Sequence, residues 1–502
     1  MLELRTPSEA AQWLRQHVTG TLCPDSRKLR AGDGFIAWPG AAVDARQFVQ
    51  GALQQGAAAC MVEREGLEAF GLDGERIACY PGLKSDTGAI AAEFFGAPSA
   101  ALKVVAVTGT NGKTSSTWWL AQALSALPGH QHLPCGVIGT LGVGRPGASV
   151  LATGLTTPDP VLLQQTLRQF ADSGLKACAM EASSIGIEEH RMDGTHIQVA
   201  VFTNLTQDHL DYHGSMEAYW QSKLRLFAWP GLAAAVINVD DAYGLELAQT
   251  LSASALDVWT VSCQQPDARL LARAIAYDAM GLRFEVVEGS EVCVLQTRTI
   301  GTYNVSNLLG VLGALRALGV PLQAAVQACG TLEPVPGRME CLGGPSEPLV
   351  VVDYAHTPDA LSQALTALRP LAEQRGGRLW CIFGCGGDRD ASKRPLMGAI
   401  ASQKADQVVV TSDNPRREKP EAIIAHILLG LTQNKTVDVQ GDRALAIADA
   451  VARADANDVV LVAGKGHEDY QDVGGVKLPF SDREHAGRAL RHRGPPPQEE
   501  RT

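Results

Sequence analysis

The stretch Val104-Val105-Ala106-Val107-Thr108-Gly109-Thr110-Asn111-Gly112-Lys113-Thr114 constrains this chain more than any other. Residues 104–107 are apolar and mostly β-branched, which predicts a buried strand. Two glycines make a turn, and Lys113-Thr114 then opens a helix-like run, Ser115 to Leu127. A strand, a glycine turn and a helix start together aim backbone N–H groups and a positive helix end at an anion. Gly109 and Gly112 let the backbone close around phosphate, with amides from Thr110, Asn111 and Ser115. Lys113 would reach the β/γ-phosphates, and the Thr114 hydroxyl would ligate Mg²⁺. The general P-loop spacing asks for a glycine where Val107 stands, so an ordinary strand-to-helix turn is the competing reading.

A chain of 502 residues is too long for one hydrophobic core, so two to four domains are expected. Apolar residues make up 45% of it, which excludes a disordered chain. The net charge of −11 disfavours a nucleic-acid binder, which needs a basic surface. The eleven cysteines contain no CxxC; Cys381 and Cys385 are four apart, with no second pair or His cluster to complete a zinc site. Reduced thiols in a cytoplasmic protein are the simplest account. Met1 to Arg5 lacks the apolar core of a signal peptide, and no uncharged apolar run reaches membrane-spanning length. Gly231 to Asn238 is a short run that reads as a buried strand.

The expected fold class is α/β in three domains. Residues 1–102 form a small mixed α/β unit, with strands at Gly34–Trp38 and Ala58–Val62 and a helix at Phe48–Gln55. Residues 103–337 form a central unit whose strands alternate with helices, which implies a mostly parallel sheet covered on both faces. Polar residues cluster after its strands: Thr156-Thr157, Glu181 and Ser183, and Asn204 to His213. In such sheets ligands bind at the carboxyl ends of strands. Residues 338–492 form a second alternating unit, with polar loops at Asp353–Asp359, Gly384–Asp390, Ser412–Arg416 and Gly464–Glu468. Residues 493–502, with three consecutive prolines, read as a frayed tail.

On chemistry alone, Glu181 is a candidate carboxylate for Mg²⁺, and His209 a candidate for a second metal position. Lys223, in an expected helix Met216–Phe227, reads equally as a solvated lysine. Arg389 and Arg416, with Asp413, Asn414 and Glu468, can hold a zwitterionic amino acid with an extra carboxylate. An interdomain ion-pair network explains the same residues equally well.

These blocks resemble the Mur ligases and their folylpolyglutamate synthetase relatives. The resemblance rests on Thr108–Thr114, Met180–Ser184, Asn204–Gly214, Tyr303–Asn307, Asp353–Asp359 and Gly464–Glu468, in order along nearly the whole chain. Among Mur ligases it points to the branch that adds the third residue of the peptidoglycan stem peptide. It implies a central P-loop ATPase-type domain, a Rossmann-like C-terminal domain and a small N-terminal domain for a uridine diphosphate. It further implies that Lys113 and Thr114 bind ATP and Mg²⁺, and that Glu181 and His209 hold a second Mg²⁺. Lys223 matches a lysine that is carbamylated in this family. Asn304, Asn307, Arg338 and Asp353 match nucleotide contacts. Ser26 and Ala41-Ala42-Val43 sit where the uridine diphosphate is held, and Thr156, Thr157, Ser183, Glu189 and Arg191 match contacts to the muramoyl dipeptide. His356 would place the nucleophile or phosphate, or support the groups that do.

Asp413-Asn414-Pro415-Arg416 resembles the version that selects meso-2,6-diaminopimelate, whose second carboxylate Arg416 can pair with. Arg389, Gly464 and Glu468 would complete that pocket. The implied substrates are ATP, UDP-N-acetylmuramoyl-L-alanyl-D-glutamate and meso-2,6-diaminopimelate, with L-lysine as the alternative amino acid. The expectation is a cytoplasmic monomer of cell-wall biogenesis, without nucleic acid or membrane insertion. Rivals are another ATP-dependent amide ligase and a nucleotide-regulated binding protein without ligase activity. The chain departs from the family pattern at Ala41-Ala42-Val43, at Leu155 and at Glu189, where an acid would face an anionic substrate.

Overall fold

The computed structural model describes residues 1–40, 43–148, 150–278, 281–344, 346–431 and 437–493. Ala41, Ala42 and all of the expected tail 493–502 except Arg493 lie outside them. The chain divides into two compact units. One comprises residues 1–205, 217–261 and 310–328, and the other residues 206–216, 262–309 and 329–502.

The first unit holds two sheets. The smaller is parallel throughout, in the order Leu2–Glu3, Ile77–Tyr80, Ala59–Glu63, Gly34–Ala37, Leu22–Cys23. Strand alternation sends Ile36 to one face, with Leu14, Met61 and Ile90. It sends Phe35 and Ala37 to the other, with Val49, Cys60 and Val62. Helix Pro7–His17 is fixed by a capping box between Thr6 and Glu9. The helix expected at Phe48–Gln55 is a 3₁₀ turn, Ala45–Phe48, followed by a short helix, Val49–Gln54. Gly51 inside it weakens helix propensity.

The larger sheet places Lys103–Thr108 between Ala177–Glu181 and Val199–Phe202, all parallel. Beyond Ala177–Glu181 lies Cys135–Gly139; beyond Val199–Phe202 lie Ala234–Asn238 and Asp257–Ser262. After the central strand the chain goes first to the outer strand Cys135–Gly139, returns to insert Ala177–Glu181 between the two, then crosses to the other side. The carboxyl end of Lys103–Thr108 sits at the reversal, where such sheets open a crevice. Apart from the exposed Lys103, the strands of this centre are buried, as their near-continuous apolar sequences require. Helix Lys113–Ala126 packs against them, with Trp118, Trp119 and Leu120 buried. Helix Met216–Leu224 ends three residues before the expected limit, and a 3₁₀ turn, Arg225–Ala228, follows.

The second unit contains a feature with no counterpart in the sequence reading: an antiparallel meander, Leu270–Asp278, Gly281–Glu288 and Glu291–Thr297. Its C-terminal sheet runs Glu340–Leu342, Leu349–Asp353, Val459–Ala463, Leu379–Phe383, Gln407–Val410, Val437–Val439. All neighbours are parallel except the first pair. Helices Pro358–Arg375, Lys393–Lys404 and Pro420–Leu428 supply one core. Arg443–Arg453 and Asp482–Arg491 supply the other. The last long strand is inserted centrally, which brings the loops after Asp353, Phe383 and Ala463 side by side. A hairpin, Tyr470–Val473 with Val476–Pro479, follows. Among the described residues no helix is long and apolar enough to cross a membrane.

Candidate active site

In the first unit the glycine turn is built as its sequence requires. Gly109 has φ +145° and Gly112 φ +86°, conformations that a side chain would strain. Gly112 caps helix Lys113–Ala126, so the helix starts on the lysine itself. The neighbouring strand end clamps the turn. Asn204 Oδ1 accepts from Asn111 N (2.9 Å), Asn204 O accepts from Thr110 N (2.8 Å), and the Thr203 hydroxyl donates to Asn111 O (2.6 Å). Val107, where the general motif has glycine, is a buried strand residue; the strand runs on through Thr108 and the turn is correspondingly short.

Glu181 ends the adjacent strand and is 1% exposed. Its Oε2 accepts from the Thr114 hydroxyl (3.1 Å) and the Thr140 hydroxyl (3.1 Å), and its Oε1 from Thr140 N (2.8 Å). The carboxylate is thus solvated by fixed donors in place of water, which its burial demands. Thr140 hydrogen-bonds Thr156 (3.1 Å between hydroxyl oxygens). The Thr157 hydroxyl donates to Glu181 O (2.8 Å) and lies 3.0 Å from the Ser183 hydroxyl, while Arg191 Nη1 donates to Thr157 O (3.1 Å). All four of Thr156, Thr157, Ser183 and Arg191 are therefore joined to the loop through one residue, Glu181: Thr156 by way of its carboxylate, and Thr157, Ser183 and Arg191 by way of its backbone carbonyl.

Lys113 Nζ donates to Gly109 O (2.7 Å) and Thr110 O (2.8 Å), folded over its own turn. Lys223 Nζ donates to the same Gly109 O (3.0 Å) and lies 4.4 Å from the centre of the Tyr219 ring. At 1% exposure, Lys223 is not a solvated surface lysine. Glu189 forms an ion pair with Lys84 (2.6 Å), so the charge this chain carries there has a partner on the N-terminal helix Leu83–Phe94. Ser26 sits in a half-buried turn after Leu22–Cys23. Asp159, at the head of helix Pro160–Asp172, is near enough to that turn to act on Cys23, whose thiol is raised mainly by burial.

In the second unit, His209 adopts φ +53° and its Nε2 lies 3.5 Å from Asp208 Oδ2. Asn304 Nδ2 donates to Ile300 O (2.6 Å), and Asn307 Nδ2 to Asn304 Oδ1 (2.9 Å), at the start of helix Tyr303–Ala317. Asp353 accepts from Met339 N (2.8 Å) and Ala355 N (2.9 Å). Burial raises its carboxyl, against the pull of Arg338 and these amides. The Arg338 guanidinium lies over the Tyr354 ring (4.4 Å). Tyr354 also packs against the His356 and His467 rings (4.6 and 5.1 Å between centres). Burial, with Lys393 nearby, pushes His356 down to about 4; burial, with Arg338 nearby, pushes His467 down to about 3. His356 is thus a neutral imidazole at physiological pH, with Nδ1 on Tyr354 O (2.8 Å).

Asp413, Asn414, Pro415 and Arg416 follow strand Gln407–Val410. Arg416 has φ +51°, Nη1 donates to Gly387 O (2.7 Å), and its backbone is strapped to the hairpin through Asp472 O (2.9 Å) and Gly474 N (2.6 Å). A Cβ placed on Gly386 would lie 2.9 Å from Arg416 Nη1 and 3.8 Å from Arg389 Cγ, so both arginines flank that glycine. Among the described residues neither has a carboxylate partner. Gly464, at φ +121°, lets its loop approach the Asp413 carboxylate. Glu468 Oε2 accepts from Asn414 Nδ2 (2.8 Å).

The structure brings together Gly109 to Ser115, Glu181, Lys223, Thr156, Thr157, Ser183 and Arg191 in one unit. In the other, it gathers Arg338, Asp353 and His356 around Tyr354, and Arg389, Asp413 to Arg416, Gly464 and Glu468 around Gly386 and Asn414. Among the described residues no three His, Cys, Asp or Glu side chains form a ready metal cluster. Sequence reasoning gave no role to Thr140, Thr203 or Tyr219, and named Asn204 only as part of the polar run after its strand. Thr140, Thr203 and Asn204 sit at strand ends beside the loop, and that position was the available signal.

Two family models match the chain: Mur ligase middle domain over residues 107–315, and Mur ligase, glutamate ligase domain over residues 337–466. The chain is 61% identical over 495 residues to the UDP-N-acetylmuramoyl-L-alanyl-D-glutamate--2,6-diaminopimelate ligase of Acidovorax sp. (strain JS42), with 98% of each chain covered. A solved structure of a UDP-N-acetylmuramoyl-L-alanyl-D-glutamate--2,6-diaminopimelate ligase is 36% identical, with 94% of each chain covered and a TM-score of 0.66. The MurF ligase of Thermotoga maritima in complex with ADP is 19% identical, with 89% of this chain and 94% of that one covered. Its TM-score of 0.63 marks a likeness of fold alone.

Proposed function

The chain belongs to the Mur ligase family, and on that premise we propose that it joins meso-2,6-diaminopimelate to UDP-N-acetylmuramoyl-L-alanyl-D-glutamate at the expense of ATP. The observation that carries the choice of amino acid is the pair Arg389 and Arg416 beside Gly386, cations without a carboxylate partner among the described residues. A second carboxylate on the substrate gives them one; L-lysine does not.

The D-glutamyl carboxylate attacks the γ-phosphorus of ATP, forming an acyl phosphate and releasing ADP. The deprotonated amine of diaminopimelate then attacks the acyl carbon. The tetrahedral intermediate collapses to the amide, and inorganic phosphate leaves. The chain's contribution is positioning and charge stabilisation. Loop amides from Gly109 to Ser115 hold phosphate oxygens, and Lys113 exchanges the Gly109 and Thr110 carbonyls for them. Thr156, Thr157, Ser183 and Arg191 orient the muramoyl dipeptide next to Glu181. Glu189, already paired with Lys84, adds no unpaired charge there. Ser26 belongs to the uridine diphosphate site, and Asn304, Asn307, Arg338 and Asp353 to the nucleotide, on family resemblance. Neutral His356 orients its neighbours and carries no charge of its own.

Thr114 and Glu181 would hold Mg²⁺. Hydroxyl and carboxylate are hard oxygen donors, and Mg²⁺ in phosphate sites keeps phosphate and water ligands and needs one or two carboxylates. Bound, the ion neutralises phosphate charge. Resemblance adds His209 and a carbamylated Lys223. There the Lys223 ammonium would first give up a proton, and its neutral amine would take up CO₂ and lose a second proton, which turns a cation into an anion. The domain limits we propose are 102, 337 and 492, for a cytoplasmic monomer serving cell-wall synthesis and hence cell shape and division.

The test is phosphate release with ATP, Mg²⁺ and the nucleotide dipeptide, plus diaminopimelate or L-lysine. Release that requires diaminopimelate supports the reading. Release only with lysine, or none with either, overturns it.

A further inference from the structure

Lys465 is fully buried, at 0% exposure. A buried ammonium needs partners, and this one has two: Asn414 Oδ1 (3.0 Å) and Glu468 Oε2 (2.9 Å). The Tyr470 ring lies 5.5 Å away. Asn414 Oδ1 also accepts from Asp472 N (2.9 Å). Two donors on that oxygen fix the amide orientation, so Nδ2 is turned to Glu468 Oε2 (2.8 Å). The three side chains form a closed triangle. Both donors of that triangle use one carboxylate oxygen of Glu468, and Oε1 makes no hydrogen bond among the described residues.

We propose that Lys465 is a positioning residue of the amino-acid site. Its ammonium locks the Asn414 amide and one oxygen of Glu468, which leaves the other oxygen to take the ammonium of the incoming amino acid. The inference rests on the functional reading above and deepens it. Without Lys465, the half-buried Glu468 carboxylate is left with the Asn414 amide as its one hydrogen-bond donor among the described residues. The carboxylate then turns away or takes up a proton, and either change removes the ammonium's partner. Arg443 cannot replace Lys465, because both its Nε and Nη2 are held by Asp482 at 2.7 Å.

The experiment compares wild type with Lys465→Met, which keeps the length and apolar bulk of the stem, and Lys465→Gln, which keeps a donor without the charge. KM for diaminopimelate is expected to rise about 10–100-fold in Lys465→Met, the loss of one charge-assisted contact, and less in Lys465→Gln. KM values for ATP and the nucleotide dipeptide stay within about twofold, a split that general structural damage does not produce. In a double-mutant cycle with Glu468→Gln, the two KM effects are expected to be strongly non-additive, because one residue acts through the other. Equal rises in all three KM values, or additive effects in the cycle, overturn the proposal. Failure of both variants to fold also overturns it, by assigning Lys465 to the fold. If wild type shows no diaminopimelate-dependent phosphate release, it is the functional reading that fails. If wild type uses diaminopimelate and Lys465→Met leaves its KM unchanged, only this inference fails.

Discussion

Replacing Arg416 by alanine isolates the guanidinium from the loop that carries it. The backbone at this position has φ +51°, which strains alanine as much as arginine, so the substitution leaves the loop's conformational preference unchanged. The main-chain bonds to Asp472 O and Gly474 N also survive, since neither involves the side chain. Of the five N–H donors of the guanidinium, one hydrogen-bonds Gly387 O, and the rest of the fork is available to a carboxylate. Two charge-assisted bonds to that carboxylate contribute about 3–4 kcal/mol together, at roughly 1.5–3 kcal/mol each with partial compensation by water. At about 1.4 kcal/mol per factor of ten, kcat/KM for diaminopimelate should fall roughly 140- to 700-fold. The KM for ATP should move by less than about twofold, and turnover with L-lysine, slow in both proteins, should not fall with it. The assay is phosphate release over a range of each amino acid. A diaminopimelate-to-lysine ratio of kcat/KM unchanged by the substitution would refute the argument, whatever happened to the absolute rates.

Gly139→Ala should lower kcat by about 10–100-fold, because its Cβ would collide with the Glu181 carboxylate and shift it off its threonine donors; phosphate release at saturating substrates measures this. Asp482→Ala strips the partner from Arg443, both 0% exposed, and should lower the stability of the C-terminal unit by about 3–5 kcal/mol, read from the shift of its urea transition. His467 is held at about 3 in the folded chain, below the 6.5 of a free imidazole, so between these values the unfolded chain binds more protons. Its stabilising contribution is complete above about pH 6.5 and is lost as the pH falls toward about 3. His467→Asn should flatten the acid limb of stability against pH over that window, measured by denaturant titration at several pH values.

Much of this arrangement could be read from residue order. The parallel strands announce themselves as short apolar runs ending in polar residues, because strands buried on both faces leave no room for alternation. Gly109, Gly112, Lys113 and Thr114 were legible because anion binding demands those residue types at those places, and Glu181 because a metal ion beside a phosphate takes a carboxylate. The meander Leu270–Glu288–Thr297 was not. Its strands mix charged and apolar residues, such as Arg273 paired with Glu285 (2.7 Å), and half-exposed pairs blur the period. Lys465 and Asn204, both inside polar loops named from the sequence, escaped in their individual roles for another reason. Each acts by holding a neighbour distant in sequence, and a hydrogen bond between Lys465 and Asn414, 51 positions apart, leaves no trace in local spacing. Lys223 was legible only by resemblance, since nothing in helix Met216–Leu224 separates a buried lysine from a solvated one.

Seven non-glycine residues among those described hold a left-handed backbone, and five of them, His190, His209, Met339, Asp388 and Arg416, lie in or beside candidate site loops. Such geometry opposes folding by about 1–2 kcal/mol for a residue with a Cβ. Glycine at these positions would relax it. A directed-evolution campaign scored on heat tolerance would therefore be drawn toward the very positions that aim the chemistry, and hardier descendants would arrive with blunted turnover. Libraries built on this scaffold should keep those five codons fixed and look for robustness elsewhere.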